Sequence, residues 1–156
     1  MSTVQKNSAF CSCGVVTFEI VGSPIARAYC HCTICQKFNN ANYADVTVFY
    51  SKDITGIDES KIEFKVYKQP PLVRRGNCTH CNSPVIEKLT IPLLPKMLIV
   101  PSTNFDDTSF LPEPRMHIFY DKRIGDINDG IKKHSGFLSS QIGFSTGLVK
   151  GMISRK

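Results

Sequence analysis

Residues 30–35 read Cys30-His31-Cys32-Thr33-Ile34-Cys35, three of the chain's seven cysteines within six positions. Residues 30 and 32 face the same way on an extended backbone. A short helix beginning after Cys32 brings Cys35 back one turn later, so the three thiols form a cup around one point. A closed structural zinc site takes four ligands, and no fourth cysteine or histidine follows at a conventional spacing. Catalytic zinc sites keep one position for water or substrate. The stretch therefore reads as a three-thiolate site whose fourth ligand is the substrate.

The other four cysteines form two pairs, Cys11-x-Cys13 and Cys78-x-x-Cys81. An odd cysteine count in tight clusters suits metal ligation better than cross-linking. Cys78-x-x-Cys81 has zinc-knuckle spacing, with the turn C-T-H-C-N-S-P. Cys11-x-Cys13 precedes a strand, and alternation is expected to put both thiols on one side. Together the pairs make a closed four-thiolate site that clamps distant segments and supports the fold. His31, between two ligands, is expected to point away from them. It and His80 are the alternatives as a fourth ligand of the open site, while His117 and His134 read as ordinary strand and helix residues.

A length of 156 residues suits one domain, and 42% hydrophobic with 21% charged residues is ordinary globular composition. The first residues, MSTVQKNSAF, lack a signal-peptide apolar run, and no stretch approaches the ~20 apolar residues that span a bilayer. A cytoplasmic protein without a membrane partner is expected. The formal charge of +6 falls by three if seven thiolates hold two zinc ions. Basic residues come in runs of two at most (Arg74-Arg75, Lys122-Arg123, Lys132-Lys133, Arg155-Lys156), which argues against nucleic acid.

Nine prolines and ten glycines cut the chain into short segments. Period-two alternation predicts strands at 14–21, 44–50 and 61–68, with further strands at 84–89, 96–100 and 117–121. Helices are predicted at Thr33–Asn39 and at Asp126–His134, the second with Asp126 as N-cap and Gly136 past its end. The reading is one mainly antiparallel β domain over residues 1–137 with one or two short helices. Residues 138–156 differ: Gly143, Gly147 and Gly151 recur every four positions and would make one small-residue helix face. Three such glycines cost roughly 1 kcal/mol each in a helix. A loosely ordered tail or a dimer arm is expected there, and with it a homo-oligomer.

The segments C-S-C-G-V-V-T-F-E-I, Y-C-H-C-T-I-C-Q-K and C-T-H-C-N-S-P-V, in that order, resemble the glutathione-dependent formaldehyde-activating enzyme family, which includes centromere protein V. The resemblance spans roughly residues 9 to 137, through M-H-I-F-Y-D. It implies a β-tent of antiparallel sheets organised around two zinc ions. Cys11, Cys13, Cys78 and Cys81 then correspond to the structural ligands, and Cys30, Cys32 and Cys35 to the catalytic ones. It further implies a carbon–sulfur lyase that joins a thiol, glutathione in the named activity, to a small carbonyl compound such as formaldehyde. The chain departs from the family at Asn77 and Asn82 around the knuckle, where Asn can replace Gly in a left-handed turn. It departs again at F-N-N-A-N after C-Q-K, and it lacks the family's late tryptophan.

Physically, an open zinc position would hold a thiolate ready to attack, and three thiolate ligands weaken the ion as a Lewis acid. Lys37, Arg74 and Arg75 are the candidates for binding substrate carboxylates, and no general base is evident. Two alternatives stand beside this reading: a non-catalytic zinc module that binds protein or nucleic acid, and a lyase for a different thiol adduct.

Overall fold

Val16, Phe18 and Ile20 alternate with polar residues, and all three are buried, as a one-faced strand requires. In the computed structural model, which describes residues 6–154, Phe18 and Ile20 lie in β2 (Thr17–Ile20) and Val16 immediately precedes it. With β1 (Asn7–Phe10) and β5 (Ile54–Thr55) it forms a small antiparallel sheet in the order β1-β2-β5. The remaining strands are β3 (Ala26–Cys30), β4 (Ala44–Tyr50), β6 (Ile62–Lys65), β7 (Val73–Cys78), β8 (Pro84–Leu89), β9 (Met97–Pro101), β10 (Met116–Ile118) and β11 (Lys132–Lys133). They make one eight-stranded sheet, ordered β11-β10-β3-β4-β9-β8-β7-β6. Two helices, α1 (Thr33–Asn39) and α2 (Phe137–Ser154), complete the described chain.

The large sheet is buried on both faces. In β9 every residue is buried, which explains its unbroken apolar run. Phe49, Leu98 and Val100 point towards the small sheet and join Phe18 and Ile20 in one core. Val48, Met97 and Ile99 point the other way and join Cys30, Cys35 and Leu148 in a second core beneath α1 and α2. Each such aliphatic side chain contributes roughly 1.5–3 kcal/mol of burial. The cysteine triplet thus sits at the edge of a well-packed layer.

The structure revises three expectations. The sheet is mixed, because β10 runs parallel to both β3 and β11. The other strand pairings are all antiparallel, so the chain is a β-dominated fold with two helices that is mainly, not wholly, antiparallel. Residues 126–134 are not helical; they form a loop ending in β11. Asp126 is taken up by Arg123 and Asp129 by His117 and Lys133, so neither caps a helix. Finally, residues 137–154 form a continuous helix instead of a loose tail.

The glycines of α2 explain that last outcome. A Cβ on Gly151 would lie 1.9 Å from the Ile25 carbonyl oxygen, and one on Gly147 would lie 2.8 Å from Met116 Cε. The missing side chains let the helix rest on the start of β3 and on β10. Docking, which also buries Leu148 and Ser140, outweighs the propensity cost. Ser140 Oγ accepts from the Phe119 N–H at 2.8 Å and anchors the first turn. Arg155, Lys156 and the first five positions lie outside the described residues. Among the described residues no helix is long and apolar enough to cross a membrane.

Candidate metal centres

The four-cysteine cluster is built by two hairpin turns. Cys11 follows β1, and a tight turn returns the chain to β2, with the Gly14 N–H donating to the Cys11 carbonyl at 3.0 Å. It is this turn, with Gly14 at φ 79°, that brings the Cys11 and Cys13 sulfurs to 3.5 Å, not strand alternation. Cys78 ends β7, and the turn to β8 closes with the Asn82 N–H donating to the Cys78 carbonyl at 2.8 Å. Asn82 has φ 61°, the left-handed conformation expected of its position. Cys13 Sγ lies 3.8 Å from Cys78 Sγ, and all four sulfurs fall within 4.8 Å of one another.

The three-cysteine cluster has a different origin. Cys30 ends β3, and Cys32 is the extended N-cap of α1, so alternation does place their sulfurs together, at 3.5 Å. The Cys35 N–H donates to Cys32 Sγ at 3.3 Å, as an N-cap side chain should receive it. Cys30 and Cys35 are buried, while Cys32 is half-buried and gives the cup its access to solvent. The three sulfurs again lie within 4.8 Å of one another, with no fourth Cys, His, Asp or Glu donor among the described residues.

The donor chemistry fits a soft divalent ion at both places. In the first cluster, a backbone bond from Val15 favours the Cys13 thiolate, but desolvation and the neighbouring sulfurs push its pKa up to about 12. Desolvation opposes ionisation of Cys81, yet bonds from Ser83 and Cys13 pull it down to about 6. In the cup, hydrogen bonding with Cys32 pushes Cys30 up, and bonds from Cys30 and Cys35 hold Cys32 well below the usual thiol range. Each cluster can thus release some protons but not all, because one thiolate opposes the next. A divalent cation removes that opposition. Backbone N–H groups of Val16 and His80 already point at Cys11 and Cys78 sulfurs, at 3.3 and 3.4 Å.

Of the three basic candidates, Arg75 lies at the cup. It is buried, with Nε 2.9 Å from Glu87 Oε1 and its guanidinium 3.8 Å from Cys35 Sγ. Cross-strand register puts Arg75 opposite Glu87. Burial raises the Glu87 pKa, the Arg75 charge and hydrogen bond work against that rise, and the Cys32 charge adds to it. Lys37 is exposed and lines a cavity of about 660 Å³ along α1, with Gln36, Asn40 and Tyr67. The cysteines do not line this cavity, but it opens next to Cys32 at Thr33 and reaches the Tyr67 ring, 5.8 Å from the Arg75 guanidinium. Arg74 alternates to the other face of the sheet and lines a separate cavity with Lys88 and Lys96. Geometry joins Arg75 to the cup, places Lys37 in the neighbouring cavity and leaves Arg74 apart.

His31 is turned away from the sulfurs into an aromatic interior, its Nε2 2.8 Å from His117 Nδ1. His117 Nε2 lies 2.7 Å from Asp129 Oδ2, and Lys133 Nζ is 3.0 Å from the other carboxylate oxygen. An ionised Asp129 accepts from His117 Nε2–H, and a singly protonated His117 then accepts at Nδ1 from His31 Nε2–H. His31 Nδ1 then carries a lone pair, and it has no hydrogen-bond partner. Burial, helped by His117 and Arg123, lowers the His31 pKa to about 4 and keeps it neutral. His117 is therefore no ordinary strand residue, and its role was hidden because its partner lies 86 positions away. His80 is exposed in the knuckle turn and His134 packs against Gly143.

Two clusters of thiols at these positions match a known pattern. Residues 6–122 fit the model of the glutathione-dependent formaldehyde-activating enzyme family. The chain belongs to that family. Among solved structures it is similar to a crystal structure of a Rhodobacter sphaeroides protein determined as a structural-genomics target. The TM-score is 0.51 at 14% identity, over 64% of this chain and 87% of that one. At that identity the likeness speaks for the fold alone. A comparison with curated proteins gives no match.

Proposed function

We propose that the protein is a zinc-dependent carbon–sulfur lyase acting on the adduct of a small aldehyde with a glutathione-like thiol. The observation that carries this reading is the contrast between the clusters: four sulfurs close one, while the other stops at three and reaches solvent over Cys32. Cys11, Cys13, Cys78 and Cys81 would hold a structural zinc, and Cys30, Cys32 and Cys35 a catalytic one. Zinc in the cup supplies an open position that holds a thiol sulfur in its ionised form near neutral pH.

The chain's own groups set up the rest. In the forward direction the thiolate sulfur bonds to the carbonyl carbon, the carbonyl π bond breaks, and the oxygen takes a proton to become hydroxyl. The reverse step returns thiol and aldehyde. Arg75, 3.8 Å from Cys35 Sγ, places a buried positive charge beside a cup that gathers negative sulfur, and Glu87 holds the guanidinium in place. Lys37 offers the cavity along α1 a cation for a substrate carboxylate, with Gln36 and Asn40 as polar neighbours. About 660 Å³ suits a tripeptide-sized thiol. Residues 1–137 carry this chemistry, with 138–156 as an addition to it.

Isothermal titration of glutathione and other thiols into zinc-loaded protein tests the reading. Binding that needs a free thiol and vanishes in Cys32→Ser supports it, and preference for another thiol reassigns the adduct. No thiol binding at all, with both zinc ions present, would favour a non-catalytic zinc module.

A further inference from the structure

Helix α2 lies beyond the residues that match the family model. Its inner side, with Ser140, Gly143, Gly147 and Gly151, is buried against the sheet. Its outer side is apolar: Leu138 is 71% exposed, Ile142 58%, Val149 48% and Ile153 79%. At 100° per residue these four, with Ser145 and Thr146 between them, fall within about 100° of the circumference, opposite the buried glycines. One charged side chain, Lys150, occurs among the helix's eighteen residues. An outward stripe of large apolar side chains on a helix marks an interaction surface.

We infer that the occupant is a second copy of this chain, with the two α2 helices packed antiparallel about a two-fold axis at Ser145–Thr146. The order of the stripe argues for this. Leu138 and Ile153 are equally far from that midpoint, and so are Ile142 and Val149. A two-fold crossing there sets Leu138 against Ile153 and Ile142 against Val149 of the partner. Such self-complementarity is what an isologous interface demands. The small residues at the centre let the helices approach closely. The charge agrees: antiparallel packing separates the two Lys150 side chains by nine positions, about 13 Å along the axis, beyond the Debye length at physiological salt. Parallel packing would hold them level. A membrane surface fits less well, since Lys150 is the one cation within α2 itself, whereas an interfacial helix carries several along its polar face.

The helix is about 27 Å long, so the contact is small and its affinity should be micromolar or weaker. Sedimentation equilibrium on the zinc-loaded full chain, up to about 500 μM, should show a monomer–dimer equilibrium. Ile142→Glu and Val149→Lys, each on an exposed face, should keep wild-type circular dichroism and zinc content and move the equilibrium at least tenfold towards monomer. The double variant should regain dimer, because the antiparallel pairing sets its opposite charges against each other. A wild-type protein that stays monomeric throughout overturns the proposal. So does a double variant no more dimeric than the singles, and so does a monomer that floats with anionic phosphatidylserine vesicles.

Discussion

His31 Nε2 and His117 Nδ1 meet at 2.8 Å, joining the centre of the cysteine triplet to a strand 86 positions later. The parallel pairing of β10 with β3 makes the contact possible, since it sets His117 level with Tyr29. Asp129 fixes the outer nitrogen and so orients the whole chain of groups. His117→Phe should leave His31 with two unsatisfied nitrogens and destabilise the protein by about 1–3 kcal/mol, read by urea unfolding of zinc-loaded protein.

Asp129 adds a pH signature. Burial opposes its ionisation, but bonds from His117, Lys133 and the Ile131 N–H outweigh burial and hold the carboxyl well below its ordinary 3.8. A carboxyl depressed in the folded state stabilises fully above its unfolded pKa and loses that contribution as pH falls through the folded value. The stability difference between wild type and Asp129→Asn should therefore be flat from pH 7 to about 4 and shrink below it. A difference that grows on acidification would contradict the assigned ionised state.

The Arg75–Glu87 pair lies in the layer below the cup, with side chains 10% and 4% exposed. Removing one partner of such a pair strands the other charge. Arg75→Leu should cost about 3–5 kcal/mol, and the Arg75→Leu, Glu87→Leu double variant markedly less. Denaturant titration of wild type, Arg75→Leu, Glu87→Leu and the double variant measures the non-additivity, and a double-variant loss equal to the sum of the two single losses would refute the coupling.

Helix α2 depends on Gly151. Alanine there drives a Cβ into the Ile25 backbone, and backbone cannot swing aside as a side chain can. Gly151→Ala should cost about 1–3 kcal/mol. Gly125→Ala, whose Cβ meets nothing, should be close to neutral by thermal melting.

The parts of this fold that could be read from residues were those decided locally. β4 appears at the residues that alternation marked, 44–50, and β8 at the further strand expected over 84–89, because each pairs with a strand on both sides. The cup was legible because Cys30, Cys32 and Cys35 need only one strand end and one helical turn. What escaped depends on distant partners. His117 looks like an ordinary strand residue until His31, 86 positions away, meets it, and the glycines of α2 look like helix breakers until β3 and β10 lie beneath them. Arg74 and Arg75 are neighbours in sequence, and only the pleat of β7 sends one to the cup and one to the far cavity.

The two cysteine clusters should respond differently to mutation. The four-cysteine site ties the β1–β2 turn to the β7–β8 turn across 65 positions, so Cys78→Ser should give unfolded or insoluble protein. The cup spans six residues and clamps little, so Cys32→Ser should stay folded with about one zinc fewer. Zinc analysis with circular dichroism checks both, and a native-like, zinc-poor Cys78→Ser protein would refute the structural assignment.

If a thiol substrate supplies the cup's fourth ligand, cobalt in place of zinc makes that ligand visible. The visible spectrum of the cobalt protein reports ligand number and sulfur count. Glutathione should add sulfur-to-metal charge-transfer intensity, whereas S-methylglutathione, of similar size and charge, should not, because its sulfur cannot ionise. That difference separates binding through sulfur from binding of carboxylates to Lys37. Identical spectra with and without saturating glutathione, while the three-cysteine site holds cobalt, would show the site closed and contradict the account.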